Sequence, residues 1–229
     1  MRRIKIVSLI NDKGSISVEE LSVIFNVSLE TIRRDLRRLD AEGLIKRVHG
    51  GANSKKVNDI GRSFSERLKD KISIKESLVK QALKYIKEDM VIGLDASSSS
   101  WCLANKIPNI PCTIVTNSIK NVIALEDKEN IKIICTGGTY SPKYGGFHGA
   151  FAINTLSNLS IDMSFISCVG FDNETGVWDS NEYNYQIKQT FIDISDKVIL
   201  LADSSKYGKK SLLRVCDIST ISEIITEKL

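Results

Sequence analysis

Four arginines within six residues, Arg33, Arg34, Arg37 and Arg38, stand on a segment that reads as one helix. Guanidinium groups at that density suit an anionic polymer, because each presents a planar fork of donors to phosphate or to guanine. A second set of residues recurs after apolar runs of strand length. Asp95 precedes Ser97, Ser98 and Ser99; Thr116, Asn117 and Ser118 follow the next run; Gly137-Gly138, Gly170-Phe171-Asp172 and Asp203-Ser204-Ser205-Lys206 complete the series. Hydroxyls and backbone amides at helix starts hold phosphate, Lys206 supplies a counter-charge, and Asp95, Asp172 and Asp203 accept from sugar hydroxyls. The first set predicts nucleic-acid binding and the second a small-anion pocket.

Local signals say what positions the arginines. Ile4, Val7, Leu9 and Ile10 fall near one face of a helix over 2–12, with Gly14 as its stop. Ser17-Val18-Glu19-Glu20 reads as a capping box, with Ser17 as N-cap and Glu20 reaching back. The helix behind it carries the stripe Val18, Leu21, Ile24 and Phe25. After an Asn26-Val27 turn, Ser28 caps the arginine helix. There Ile32, Leu36 and Leu39 lie within about 60° of one another and face the first two helices. Glu30, Thr31, Arg34, Arg37 and Arg38 face outward, with Arg33 on the flank. Gly43 ends this helix, Leu44 to Val48 reads as a strand, and His49-Gly50-Gly51 as its turn.

Together these are the parts of a winged helix-turn-helix. One α-helix fits the DNA major groove, and its N-terminal residues meet base edges. Ser28, Thr31, Arg33, Arg34, Arg37 and Arg38 are therefore expected at double-stranded operator DNA, with Lys46, Arg47 and His49 of the wing on the backbone. Contacts to about six phosphates predict a log–log salt slope near −5. A solvated arginine face on a plain helical bundle would need neither the two caps nor the basic wing.

Charge agrees. Of a net +4, residues 1–56 carry 12 Lys/Arg against 7 Asp/Glu, and the other 173 residues carry 20 against 21. The basic excess sits where the arginine helix sits, which fits an anionic partner there. No run approaches the roughly 20 apolar residues of a membrane span, and no apolar leader follows Met1. A cytoplasmic protein with no membrane partner is expected. Cys102, Cys112, Cys135, Cys168 and Cys216 form no C-x-x-C pair and read as reduced thiols. With His49 and His148 they match no usual zinc spacing, so neither metal nor cofactor is expected.

Residues 54–70 are polar and aperiodic and read as a linker with Phe64 as its anchor, between a DNA-binding domain at 1–53 and a second domain at 71–229. From Ile72 onward helices at about 72–87, 149–159 and 183–193, and others after Ser100 and Ser118, alternate with apolar strands near 90–94, 113–116, 131–135, 163–169 and 197–202. That alternation predicts an α/β fold with a mostly parallel, doubly wound sheet. Ligands of such sheets lie outside the carboxyl ends of the strands, which is where the five polar groups fall. Ser, Asp, Asn and Gly are also ordinary caps and turns, an account that serves one loop better than five in register.

The stretch VSLETIRRDLRRLDAEGLIKRVHGGA, residues 27–52, resembles the DNA-binding signature of the DeoR family of bacterial transcription regulators, and Phe64-Ser65-Glu66-Arg67 fits the family's F-x-x-R element. The second half is similar to the family's sensor domain in Asp95 with its serines, Thr116-Asn117-Ser118, Gly137-Gly138, Asp162-Met163-Ser164-Phe165, Gly170-Phe171-Asp172, Gly176, Lys188 and Asp203 to Gly208. The resemblance implies a fold similar to ribose-5-phosphate and glucosamine-6-phosphate isomerases, used to sense a phosphorylated sugar, with Glu182 and Lys188 joining the pocket. Two positions depart from the pattern. Ser97 stands where the family often has glycine, which restricts how closely phosphate approaches the backbone, and Asn184 stands where glutamate is common.

These readings point to a sequence-specific regulator, a repressor by expectation, of a carbohydrate operon. A palindromic operator and a homodimer or homotetramer follow from helix-turn-helix symmetry. An isomerase carrying a DNA-binding domain is the rival; its proton transfer would need Asp172 or Glu182 as base. A DNA-bridging protein indifferent to sugar phosphates is a third reading.

Overall fold

The computed structural model describes residues 2–13, 15–48, 50–54 and 61–227. Contacts divide the chain into two units, 1–60 and 61–229. In the first, α1 (Arg2–Lys13), β1 (Ser15–Ser17), α2 (Val18–Phe25) and α3 (Leu29–Ala41) lead to a hairpin of β2 (Ile45–Val48) and β3 (Gly51–Ser54). Ser17 caps α2 by accepting from the Glu20 amide at 3.0 Å. Asn26 ends that helix in the left-handed region, φ 49°, and turns the chain into α3, where Ser28 is the next cap. Ile6, Ile10, Leu21, Ile32, Leu36, Leu39 and Ile45 close one core. The inward face of α1 is thus Ile6 and Ile10, one turn apart, while Ile4 and the α2 residue Ile24 are exposed. The order β1-β3-β2 is antiparallel. Gly51 permits it, because a Cβ there would lie 2.4 Å from the Ile16 carbonyl oxygen. This is a winged helix-turn-helix. Gly14 and His49 lie outside the described residues, as do Lys55 to Ile60.

The second unit begins with α4 (Phe64–Lys69) and α5 (Ile72–Ala82), followed by β4 (Val91–Leu94), α6 (Ser98–Lys106), β5 (Cys112–Thr116), α7 (Ile119–Leu125) and β6 (Ile131–Cys135). A hairpin of β7 (Thr139–Ser141) and β8 (Gly146–His148) comes next, then α8 (Ala150–Ser157) and β9 (Ile161–Ile166). The chain finishes with β10 (Gly170–Asp172), β11 (Gly176–Asp179), α9 (Glu182–Asp193), β12 (Ser195–Leu201), β13 (Leu213–Cys216) and β14 (Glu223–Ile225). Six strands in the order β14-β12-β9-β4-β5-β6 form one sheet, and each neighbouring pair is parallel.

Alternation along the strands feeds two cores. Ile199 and Leu201 of β12 join Leu78, Leu103 and Leu125 on one face, while Val198 and Leu200 join Leu156, Ile187 and Phe191 on the other. The chain starts at the centre with β4, runs outward through β5 and β6, and returns to β9 on the opposite side of β4. The crevice between β4 and β9 is therefore the topological switch point.

Two segments differ from the sequence expectation. Within 54–70 the structure forms α4, started by a full capping box of Ser63 and Glu66 and packed into the second unit. The fourth strand ends at Ile166, and Gly170-Phe171-Asp172 lies instead in a separate antiparallel sheet, β10-β11-β13.

Candidate functional site

On α3 the arginine face is exposed: Arg33, Arg34, Arg37 and Arg38 all stand in solvent around the buried Ile32, Asp35, Leu36 and Leu39. Asp35 is held from α1 by Arg2, Nε to Oδ2 at 2.7 Å. Ser28 spends its hydroxyl on capping and lies 2.9 Å from the Thr31 hydroxyl. Lys46 and Arg47 extend from β2 into solvent, with the Arg47 amide donating to Asp40 Oδ1. Thus the described members of the expected DNA surface all belong to the first unit, and the α3 arginines, Ser28, Lys46 and Arg47 are exposed.

At the switch point, Asp95 leaves β4 and organises the crevice. Its Oδ1 accepts from the Ser97 amide at 3.1 Å and the Ser100 hydroxyl at 2.6 Å. Its Oδ2 accepts from the Ser167 amide, beyond the end of β9, at 3.1 Å. Lys188 reaches over from α9, 2.5 Å from Asp179 Oδ2 and 3.5 Å from Asp95 Oδ2. Burial alone would lower the Lys188 pKa, but the Asp179 and Asp95 carboxylates outweigh it and raise the value above that of an ordinary lysine. Arg67 enters from α4, donating to the Ala96 carbonyl at 3.4 Å and lying over the Phe64 and Tyr144 rings. Burial pulls its pKa below the usual arginine value, opposed by Asp95 and Asp179; a guanidinium stays charged there.

Arg67, Asp95, Ala96, Asn117, Asn184, Ile187 and Lys188 enclose a cavity of about 10 Å³, the room of about one water. Among the described residues, two buried polar atoms of its lining side chains have no hydrogen-bond partner, Arg67 Nε and Asn117 Oδ1.

The remaining expected effector residues sort by what they touch. Ser97 caps α6, and Ser98 and Ser99 occupy its first turn, all three buried; amides in that turn have no helical acceptor. The Thr116 hydroxyl donates to the Leu94 carbonyl and accepts from the Ser118 amide and Asn121, tying β5 to β4. Ser118 caps α7. Gly137 and Gly138 take φ 62° and 110° where β6 passes to β7. Asp203 binds Lys71 and Ser205, and Lys206 donates to the Ser167 hydroxyl at 3.0 Å. Through Ser167, the Asp203–Lys206 loop joins Asp95.

Three expected residues are placed elsewhere. Asp172 closes the β10–β11 turn, accepting from the Glu174 and Thr175 amides and the Thr175 hydroxyl, and these bonds hold its pKa below the ordinary value. Gly170 begins β10, where a Cβ would lie 2.0 Å from the Lys209 carbonyl oxygen. Glu182 is exposed on α9 and accepts from Gln186. The groups that the strand-end pattern did not reveal, Arg67, Asp179 and Ser167, come from a helix before the sheet, a small separate sheet and a residue just past an apolar strand. Only the F-x-x-R element flagged Arg67. Cys168, next to Ser167, is buried and its thiol is pushed up to about 11, the character of an inert packing thiol.

A winged helix-turn-helix joined to a doubly wound α/β unit defines a DNA-binding transcription regulator with a second, switch-point domain. Among the described residues no helix is long and apolar enough to cross a membrane. The DeoR-like helix-turn-helix domain matches residues 2–57 and the DeoR C-terminal sensor domain residues 70–228. An L-fucose operon activator of Haemophilus influenzae is 44% identical over 223 residues, covering 97% of this chain and 90% of that protein. The HTH-type transcriptional repressor GlcR of Bacillus subtilis is 31% identical over 228 residues, covering 100% of this chain and 88% of the repressor. Among solved structures, ribose 5-phosphate isomerase A of Methanocaldococcus jannaschii aligns with a TM-score of 0.44 at 17% identity, over 59% of this chain and 54% of that one. The chain belongs to the DeoR family of transcriptional regulators.

Proposed function

We propose that this regulator controls a carbohydrate operon and answers to a phosphorylated sugar bound at the β4/β9 switch point. The observation that carries the reading is the pair of open buried atoms in the crevice, Arg67 Nε and Asn117 Oδ1, beside the first-turn amides of α6. A phosphosugar offers what these lack: anionic acceptors for the donors and a hydroxyl for the acceptor. The cavity is too small for a sugar, so binding must displace the Arg67 or Asn184 side chain. Lys188 holds the floor together, its charge already taken by two aspartates. Residues 1–53 serve the operator, 54–63 the connection and 71–229 the effector together with α4 and its Arg67, in a cytoplasmic homodimer or homotetramer on a palindromic site.

The test is thermal melting of the full chain against phosphorylated sugars and their unphosphorylated parents, L-fucose derivatives included, because an L-fucose operon activator is among the relatives. Trp101 and Trp178, both in the second unit, report its unfolding. A ligand at 100 times its Kd adds about 2.7 kcal/mol. Stabilisation by one phosphosugar and not by its parent is expected; no shift across the panel overturns the reading. Operator affinity measured with and without that sugar then separates repression from activation, since only differential affinity for the two states couples the sites.

At the DNA face, Arg34→Ala is expected to weaken operator binding by about 1–3 kcal/mol through loss of a base contact. An unchanged Kd in a gel-shift titration removes Arg34 from the interface. The isomerase reading has less support from the bases it would use, because Asp172 is tied into a turn and Glu182 is exposed on α9. Turnover of a phosphosugar by the purified chain would restore it.

A further inference from the structure

Glu30 sits in the first turn of α3 among the arginines, an unusual place for a carboxylate if this face meets a polyanion. Its Oε1 lies 2.5 Å from Arg37 Nη2, and its Oε2 lies 3.7 Å from Arg33 Nη1. Arg37 is two turns further on, so its side chain is folded back along the helix to bring its guanidinium over the N-terminal end. Glu30, Arg33 and Arg37 remain largely exposed. The helix dipole favours a carboxylate in a first turn. It does not account for an arginine two turns away converging on the same group, at the end of a recognition helix that meets base edges.

A carboxylate carried into the major groove is repelled by phosphates on both sides unless a base edge supplies a donor. The amino groups of cytosine and adenine are the donors there. Adenine sets the N7 acceptor beside its amino group, which repels a second carboxylate oxygen, whereas cytosine N4 suits a carboxylate acceptor. With one guanidinium edge held by Glu30, Arg37 keeps its other N–H groups for guanine O6 and N7. We infer that Glu30 is a specificity-determining residue of this regulator: it selects cytosine at one operator position and holds Arg37 for a guanine beside it. The inference rests on α3 being the DNA-reading helix.

The test is selection from a randomised duplex pool by the full chain and by its Glu30→Gln and Glu30→Ala variants, followed by Kd measurement on the selected duplex and its single-base changes. Wild type is expected to require cytosine at one position by about fivefold or more. Glu30→Ala is expected to lose that preference, and Glu30→Gln to move it toward adenine, whose N6 and N7 pair with a glutamine amide. Variants that select the wild-type sequence, and differ only by a uniform rise in affinity for all DNA, overturn the inference and leave Glu30 as a tether within the helix. Circular dichroism melting of each variant checks that it is folded, and the isosteric Glu30→Gln still decides if the alanine variant is not. A wild-type pool that never converges is a different failure, that of α3 as a sequence reader, and it removes the inference as well.

Discussion

Replacing Lys188 by methionine lowers the stability of the second unit by about 3–5 kcal/mol, the expected consequence of removing one partner from a buried ion cluster. The Lys188 and Asp179 side chains are only 7% and 3% exposed, and Asp95 is equally enclosed. Methionine fills most of the volume, so the loss comes from two buried carboxylates left without their Lys188 partner. Urea unfolding followed by Trp101 and Trp178 fluorescence measures the second unit alone. Adding Asp179→Asn to Lys188→Met is expected to return part of the loss, giving a coupling energy of about 1–3 kcal/mol. Additive single losses, or a Lys188→Met loss under about 1 kcal/mol, would mean that desolvation already cancels the attraction. The pH dependence has a definite sign. Lys188 holds its proton more tightly in the folded chain, so its contribution is complete below the unfolded pKa of about 10.4 and fades only as pH rises through the higher folded value.

Phe191→Ala is the second large effect, about 3–5 kcal/mol. Phe191 is fully buried and lies one turn beyond Lys188 on α9, against β4. A Cβ at Gly93 would come within 2.9 Å of the Phe191 ring and 2.2 Å of the Ser164 hydroxyl, so strand and ring are fitted to each other. Removal of the ring leaves a space that backbone on one side and strand on the other cannot close. Phe191→Leu, which refills part of that space, is expected to recover about half of the loss. Because α9 carries Lys188 and Asn184 to the crevice, Phe191→Ala is also expected to weaken effector binding beyond what lost stability explains. A variant as stable as wild type would show that α9 is held by other contacts.

The N-terminal unit was legible because its signals are short-range. The caps Ser17 and Ser28, the turn at Asn26 and the apolar face of Ile32, Leu36 and Leu39 each lie within one or two helical turns of what they control. Helix periodicity then left the four arginines outside, whatever the rest of the chain did. In the second unit, strand–helix alternation similarly determined a parallel sheet and which loops cap its carboxyl ends, with Asp95, Ser97, Thr116, Asn117 and Ser118 at the first two.

What a carboxylate or ammonium does at those ends was decided only by tertiary contacts. Which groups Lys188 faces is decided by α9 packing on the sheet, which sets it between Asp179 and Asp95, 9 and 93 positions away in the chain. Asp172 looked like a strand-end acceptor because the apolar run continues past Ile166. The strand instead leaves the sheet there, and β10 takes its partner β11, itself paired to β13 more than 30 residues later. Arg67 reaches the crevice only because α4 docks through Phe64, whose amide donates to the Lys143 carbonyl at 2.7 Å. Periodicity and capping are properties of a few consecutive residues, so the chain's order determines them directly. The charge state and availability of a buried group depend on which distant side chains share its low-dielectric surroundings, and that is fixed only when the sheet order brings them together.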